Sequence, residues 1–251
     1  MRLCRARAPS ERRGFAGRDP FSRCYGLAVL IERSMHPDWL SNAYLLADEP
    51  GGTAVFIDSG APLEPLHEIV ERERLNVTHL LTTHSHPDHI AGDAELVERY
   101  GVEIVKGPLE TGGLTIEALE TPGHASDHLA FVANETVAFT ADILFKDAVG
   151  GGPDAAPIRA SVMDTLMTLP HEVRVLPGHT DETTIGREWE ENPFVRYWRG
   201  DAASIDEAVR VGGEDATLVV WSPDYDGKGK AWVRFDDGRD AIVGGSRVTR
   251  T

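Results

Sequence analysis

The chain has 251 residues, 41% of them hydrophobic, which is enough for one large domain with a sizeable core or for a domain with a small appendage. Its 25 Lys and Arg stand against 41 Asp and Glu, and the resulting net charge of −16 repels phosphate backbones and disfavours bulk nucleic-acid binding. No stretch reaches the roughly 18 uncharged apolar residues of a membrane span, and the only cysteines, Cys4 and Cys24, lie near the N-terminus, so a disulfide scaffold is excluded and the cytoplasm is the expected location.

Residues 1–24 carry seven Arg against Glu11 and Asp19, a local balance of +5 that leaves −21 for the rest. This composition predicts a basic, disordered tail. Leu27–Glu32, Ala43–Ala47 and Thr53–Ile57 follow as strands of a meander, separated by Pro37, Pro50, Gly51 and Gly52. Leu63, Leu66, Ile69, Val70 and Leu75 fall near helical spacing and predict a helix over 62–75; Thr78–Thr82 is an apolar run suited to a buried strand. Further along, the pattern predicts helices at Asp93–Tyr100 and Ile158–Leu169. It predicts strands at Glu103–Lys106, Leu114–Glu120, within Leu129–Thr140, and at Val173–Leu176. Meanders mixed with αβ units point to a layered α/β or α+β sandwich.

After Asn192-Pro193 the character changes. Ile205–Val211 is a short amphipathic segment, and Thr217–Ser222, Ala231–Phe235 and Asp240–Val243 are short strands, the last two joined by an Asp237-Gly238 hairpin signal. The organisation expected is a tail at 1–24, a catalytic domain at 25–200 and a small β-rich, barrel-like appendage at 201–251.

The chemistry concentrates in Thr82-Thr83-His84-Ser85-His86-Pro87-Asp88-His89, where a buried strand runs out. Donors at a strand's C-terminal end are exposed in a crevice yet held by a rigid element. His84 and His86 can point toward one metal, and Asp88 and His89, beyond the bend, toward a second; imidazoles with a carboxylate suit a divalent ion such as Zn²⁺. Three more donors follow apolar β-runs: His124 in Thr121-Pro122-Gly123-His124, Asp142 in Thr140-Ala141-Asp142, and His179 in Pro177-Gly178-His179. Two of them sit beside glycine, which lets the backbone approach closely. His128 is expected to hydrogen-bond within its loop, Trp39 to serve ordinary packing, and His36, His67, His79 and His171 to lie at the surface or in a second layer.

The combination and order His-x-His-x-Asp-His, Gly-His, Ala-Asp, Pro-Gly-His resembles the metallo-β-lactamase-fold hydrolases, and most of all their glyoxalase II-like (hydroxyacylglutathione hydrolase-like) branch, over residues 27–195. The resemblance implies an αββα sandwich with two divalent metal ions in a cleft, zinc first and iron or manganese as alternatives. By it, His84, His86 and His124 hold one ion and Asp88, His89 and His179 the other, with Asp142 bridging. Asp58, in Ile57-Asp58-Ser59-Gly60, supports the ligands from behind. The activity implied is hydrolysis of a small-molecule thioester or related ester by a metal-bridging hydroxide, with Asp88 orienting it and moving a proton.

Three departures narrow this expectation. Residues 201–251 are β-rich and acidic where glyoxalase II has a basic helical region for glutathione. Gly150-Gly151-Gly152-Pro153-Asp154 stands where many relatives carry an arginine, and no cysteine serves the second metal as in class B β-lactamases. The alternatives are a mononuclear iron persulfide dioxygenase using His84, His124 and Asp142, and a nuclease or lactonase of the same fold.

Overall fold

A computed structural model describes residues 29–179 and 181–251; the tail expected at 1–24, with both cysteines, lies outside the described residues. The first sheet is built from β1 (Leu30–Met35), β2 (Asn42–Ala47), β3 (Thr53–Ile57), β4 (Asn76–Leu81) and β5 (Glu103–Val105), in that spatial order. The first three strands form the antiparallel meander, and β3, β4 and β5 run parallel. The crossovers carry α1 (Glu64–Glu73), the single turn α2 (Pro87–Ile90) and α3 (Asp93–Tyr100). Strict alternation decides what each strand buries. Ala43, Leu45, Ala54 and Phe56 face Leu63, Leu66, Val70 and Leu96 of the helical layer, while Tyr44, Leu46, Val55 and Ile57 face the second sheet.

That sheet comprises β6 (Leu109–Thr111), β7 (Leu114–Glu120), β8 (Leu129–Ala133), β9 (Val137–Ala141), β10 (Arg174–Pro177) and β11 (Thr183–Thr184), ordered β11-β10-β9-β8-β7-β6. Ile116, Phe131, Phe139 and Leu176 complete the inter-sheet core. On the outer face Ala130, Val132, Ala138 and Val175 meet the fourth layer. This layer holds α4 (Ala155–Ala160), its continuation as a π turn (Ser161–Thr165) and a 3-10 turn (Leu166–Thr168), then α5 (Ile185–Glu191) and α6 (Pro193–Trp198). The result is a mixed α/β, four-layered αββα sandwich.

One expectation changes here. The helix expected at Ile158–Leu169 begins earlier, because the Asp154 side chain caps it by accepting from the Ala156 N–H, and it does not continue as one α-helix. The C-terminal strands β12 (Glu207–Val211), β13 (Glu214–Ser222), β14 (Lys230–Phe235), β15 (Asp240–Gly244) and β16 (Val248–Arg250) form one antiparallel sheet in the order β15-β14-β13-β12-β16, in which the last strand returns to pair with the first. One face has its own core of Val209, Leu218, Val233 and Val243. The other sends Val219, Val220, Trp232 and Ile242 into the core of the fourth layer. Among the described residues no helix is long and apolar enough to cross a membrane.

Candidate metal centre

All the expected donors follow the C-terminal ends of strands. Asp58 follows β3, the His84–His89 segment follows β4, and His124, Asp142 and His179 follow β7, β9 and β10. The topology makes these ends coincide. β3 and β4 are parallel; β7 and β9 are each antiparallel to β8 and so run together, and β10 is parallel to β9.

The backbone is fitted closely around the junction. The His179 segment is pinned between Ala141, whose carbonyl accepts the Gly178 N–H at 2.8 Å, and Asn42, whose N–H donates to the Gly178 carbonyl at 2.7 Å. A Cβ at residue 178 would come 2.2 Å from Asp142 Oδ1 and 2.8 Å from His89 Cε1, so glycine is required for that approach. Gly123, at φ +139°, has the same need: a Cβ there would meet Ile158 at 2.6 Å.

The structure brings all seven expected donors together. His86 Nδ1 lies 3.1 Å from His84 Nε2 and 3.0 Å from His124 Nε2. His179 Nε2 is 3.6 Å from Asp88 Oδ2 and 3.3 Å from Asp142 Oδ2, and His89 Nε2 is 3.3 Å from Asp142 Oδ1. Asp142 Oδ2 is also 3.5 Å from His124 Nε2, so this one carboxylate touches both groups. Tetrahedral zinc with bonds of about 2.0–2.1 Å would set its ligand nitrogens about 3.4 Å apart, close to these separations. His84, His89, Asp142 and His179 form a buried floor, and His86, Asp88 and His124 a half-exposed rim.

The donor atoms fit a bound cation in a second way. Among the described residues His89 Nε2 and Asp142 Oδ1 are buried with no hydrogen-bond partner, a condition that is costly unless another group satisfies them. The opposite nitrogens of three rings are anchored: His84 Nδ1 by Thr83 Oγ1 at 3.1 Å, His89 Nδ1 by Asp58 Oδ2 at 2.7 Å, and His124 Nδ1 by the Gly151 carbonyl at 3.0 Å. A ring that donates Nδ1–H backward presents the lone pair of Nε2 forward. Asp58, in a left-handed turn at φ +55°, is itself held by the Thr83 N–H (2.8 Å) and hydroxyl.

Charge follows the same arrangement. Burial holds the pKa of His84 down to about 3, aided by His89, and burial also lowers that of His124, so both rings are neutral as metal ligation requires. For His89 burial is outweighed by the carboxylates of Asp142 and Asp58, which raise its pKa; the reciprocal pull of His89 and His179 overcomes burial at Asp142 and keeps it ionised. His128 is no donor to the cluster. Its Nδ1 meets Thr121 Oγ1 at 2.8 Å and its Nε2 accepts the Asp142 N–H at 3.1 Å, a role suited to a neutral ring whose pKa burial depresses to about 3. Trp39 is exposed and stacks on His36.

Several contributors have no signature in the sequence. Thr83 was visible only as part of the motif, and the Gly151 carbonyl is a backbone group. Tyr225, far along the chain, lays its ring flat on the His179 imidazole at 4.2 Å and 3°, and Phe145 meets both edge-on.

Comparison with known proteins bears on the family. Residues 36–112 match the family described as metallo-beta-lactamase superfamily. A hydroxyacylglutathione hydrolase of Rhodopseudomonas palustris is 31% identical over 232 residues, covering 70% of this chain and 89% of the relative. Among solved structures, ETHE1 from Myxococcus xanthus is 28% identical with a TM-score of 0.59, over 66% of this chain and 84% of that one. TTHA1623 in a di-iron-bound form is 29% identical with a TM-score of 0.55, over 64% and 98%. By its fold, its motif order and these relatives, the chain belongs to the metallo-beta-lactamase superfamily.

Proposed function

We propose that this protein is a dinuclear metal-dependent hydrolase of a small-molecule thioester or related ester. One observation carries the reading: seven donors from four separate strand ends meet in one cluster whose innermost atoms, His89 Nε2 and Asp142 Oδ1, are buried with no hydrogen bond among the described residues. In this reading His84, His86 and His124 would hold one ion, Asp88, His89 and His179 the second, and Asp142 would serve both. Divalent ions bound there would supply a hydroxide at neutral pH and polarise the scissile carbonyl. Zinc fits the imidazole-rich set, and iron is the metal named for the TTHA1623 structure.

The chain's own groups have defined tasks. Asp58, Thr83 and the Gly151 carbonyl keep the ligand rings oriented. Asp88, whose carboxylate is half-exposed at the rim, takes up a proton and returns it to the departing thiolate or alkoxide. The buried floor excludes water from one side of the cleft, so the substrate enters past His86, Asp88 and His124. Residues 25–200 form the catalytic domain in this proposal and 201–251 a module joined to it. The thioester class is supported by the name of the Rhodopseudomonas palustris relative, which describes hydrolysis of an acylated thiol.

The test is elemental analysis of protein purified without added metal, run beside hydrolysis of S-D-lactoylglutathione and of the neutral thioester S-phenyl thioacetate, and beside oxygen uptake with glutathione persulfide. About two ions per chain, with thioester cleavage lost in Asp88→Ala and His179→Ala, is the expected result. About one iron per chain, with oxygen uptake that survives His179→Ala, would replace this reading with the mononuclear persulfide dioxygenase.

A further inference from the structure

The C-terminal sheet is tied to the candidate metal centre at two places. On one side, Gly152 and Ile242 of β15 exchange backbone hydrogen bonds of 2.8 and 3.0 Å, next to the Gly151 carbonyl that anchors His124. On the other, the connection between β13 and β14, residues 223–229, carries Tyr225 onto the face of His179. A ring stacked at 4.2 Å on one of the seven donors stands beside whatever occupies the cleft.

The surroundings of that ring are specific. Phe145 packs edge-on against Tyr225 at 5.5 Å and against His179 at 5.9 Å, so the wall is aromatic on two sides. Lys230 Nζ lies 5.6 Å from the Tyr225 centroid and 5.7 Å from that of Phe145, but it is buried and paired to Asp224 Oδ2 at 2.9 Å. Lys228, the other cation of this connection, faces Asp226 at 3.8 Å. Both lysines thus face aspartates, Lys230 in a buried pair and Lys228 in an exposed one, so the charges set beside the ring include the carboxylates of Asp224 and Asp226. Tyr225 itself is only partly buried, and its hydroxyl has no hydrogen-bond partner among the described residues.

We propose that Tyr225 is a specificity-determining residue that contacts substrate, and that its wall selects substrates whose non-reacting part is uncharged and flat or apolar over those bearing a carboxylate there. This rests on the hydrolase reading above and names its substrate class. An aromatic face adds stacking and apolar contact to an uncharged group, whereas a carboxylate brought to it loses water beside the carboxylates of Asp224 and Asp226. The C-terminal sheet thereby acts as the part of the chain that chooses the substrate, through a residue more than forty positions from the nearest donor in sequence.

The experiment uses the full, metal-loaded chain as wild type, Tyr225→Phe and Tyr225→Ala. Binding of two inert, matched amides is measured by calorimetry: N-benzylacetamide, which is neutral, and 4-(acetamidomethyl)benzoate, which adds a carboxylate to the same ring. Wild type should bind the neutral probe about tenfold more tightly than the charged one; Tyr225→Phe should keep most of that affinity, and Tyr225→Ala should lose about tenfold. Metal content, read on the same samples, should be unchanged in both variants, which separates loss of the wall from collapse of the centre. The proposal is overturned if wild type shows no saturable binding, if Tyr225→Ala binds the neutral probe as well as wild type does, or if the charged probe is preferred. Failure of the hydrolase reading gives a different result: Tyr225-dependent binding of the neutral amide with no turnover of S-phenyl thioacetate.

Discussion

Around Asp142, at the junction of the first two sheets, His89 Nε2 and Asp142 Oδ1 are enclosed 3.3 Å apart, and neither atom makes a hydrogen bond among the described residues. At the base of the β13–β14 connection charge is buried as well, but there Lys230 meets Asp224 at 2.9 Å, with side-chain exposures of 9% and 3%. A closed pair is a structural device that holds a loop. An open cluster of donors, expensive to maintain in isolation, makes sense as a place for something that binds. The contrast separates function from architecture within one molecule, and the two regions touch through Tyr225 and His179.

The largest effect that could break this contrast is at Asp142. Asp142→Asn removes the carboxylate shared by both groups of donors and should lower kcat/KM about a thousandfold or more, the several kcal/mol that metal chemistry supplies, with the bound metal falling below two per chain by elemental analysis. Lys230→Met leaves Asp224 buried without its counter-charge and should cost about 3–5 kcal/mol in denaturant unfolding, and the double change with Asp224→Leu should recover most of that loss. If Lys230→Met costs nothing, the pair is not the closed device described here. Asp58→Asn keeps the shape but weakens the acceptor behind His89, and a loss of about 10–100-fold in metal affinity by chelator competition is expected. Smallest of all, Arg239→Ala removes exposed pairs to Glu214 and Asp237 on the C-terminal sheet and should leave the denaturant-unfolding midpoint and turnover unchanged.

Much of the fold was legible in the sequence because it depends on near neighbours. The periodicity at Thr53–Ile57, Asp93–Tyr100 and Leu114–Glu120 predicts elements whose bounds agree with the structure. Other signals in the sequence are ambiguous. Asn192-Pro193 reads as a change of character between regions, yet the Asn192 side chain caps α6 by accepting from Phe194 and Val195, with Pro193 at the first position. At Ile158–Leu169 the apolar spacing indicates a helix but not that its hydrogen bonding shifts to a π turn at Ser161, whose hydroxyl donates to the Pro122 carbonyl beside the His124 loop. The short strands β6, β11 and β16 offer too few residues for a period to emerge.

The candidate site divides the same way. Donor identity and the placement of each donor after an apolar β-run are local properties, and they can be read along the chain. Which donors share a centre, which ring nitrogen faces forward, and what stands over the cleft depend on sheets meeting across long stretches of sequence. Asp58 reaches His89 across 31 residues, and the Gly151 carbonyl reaches His124 across 27. Tyr225 stacks on His179 because the C-terminal sheet bonds to Gly152 and turns its β13–β14 connection toward the centre. Backbone propensity and hydrophobic period act over a few residues and so are written in the order of the amino acids. Contacts between sheets are decided by how apolar faces pack, and the pairing of a side chain with a distant partner exists only once that packing is complete.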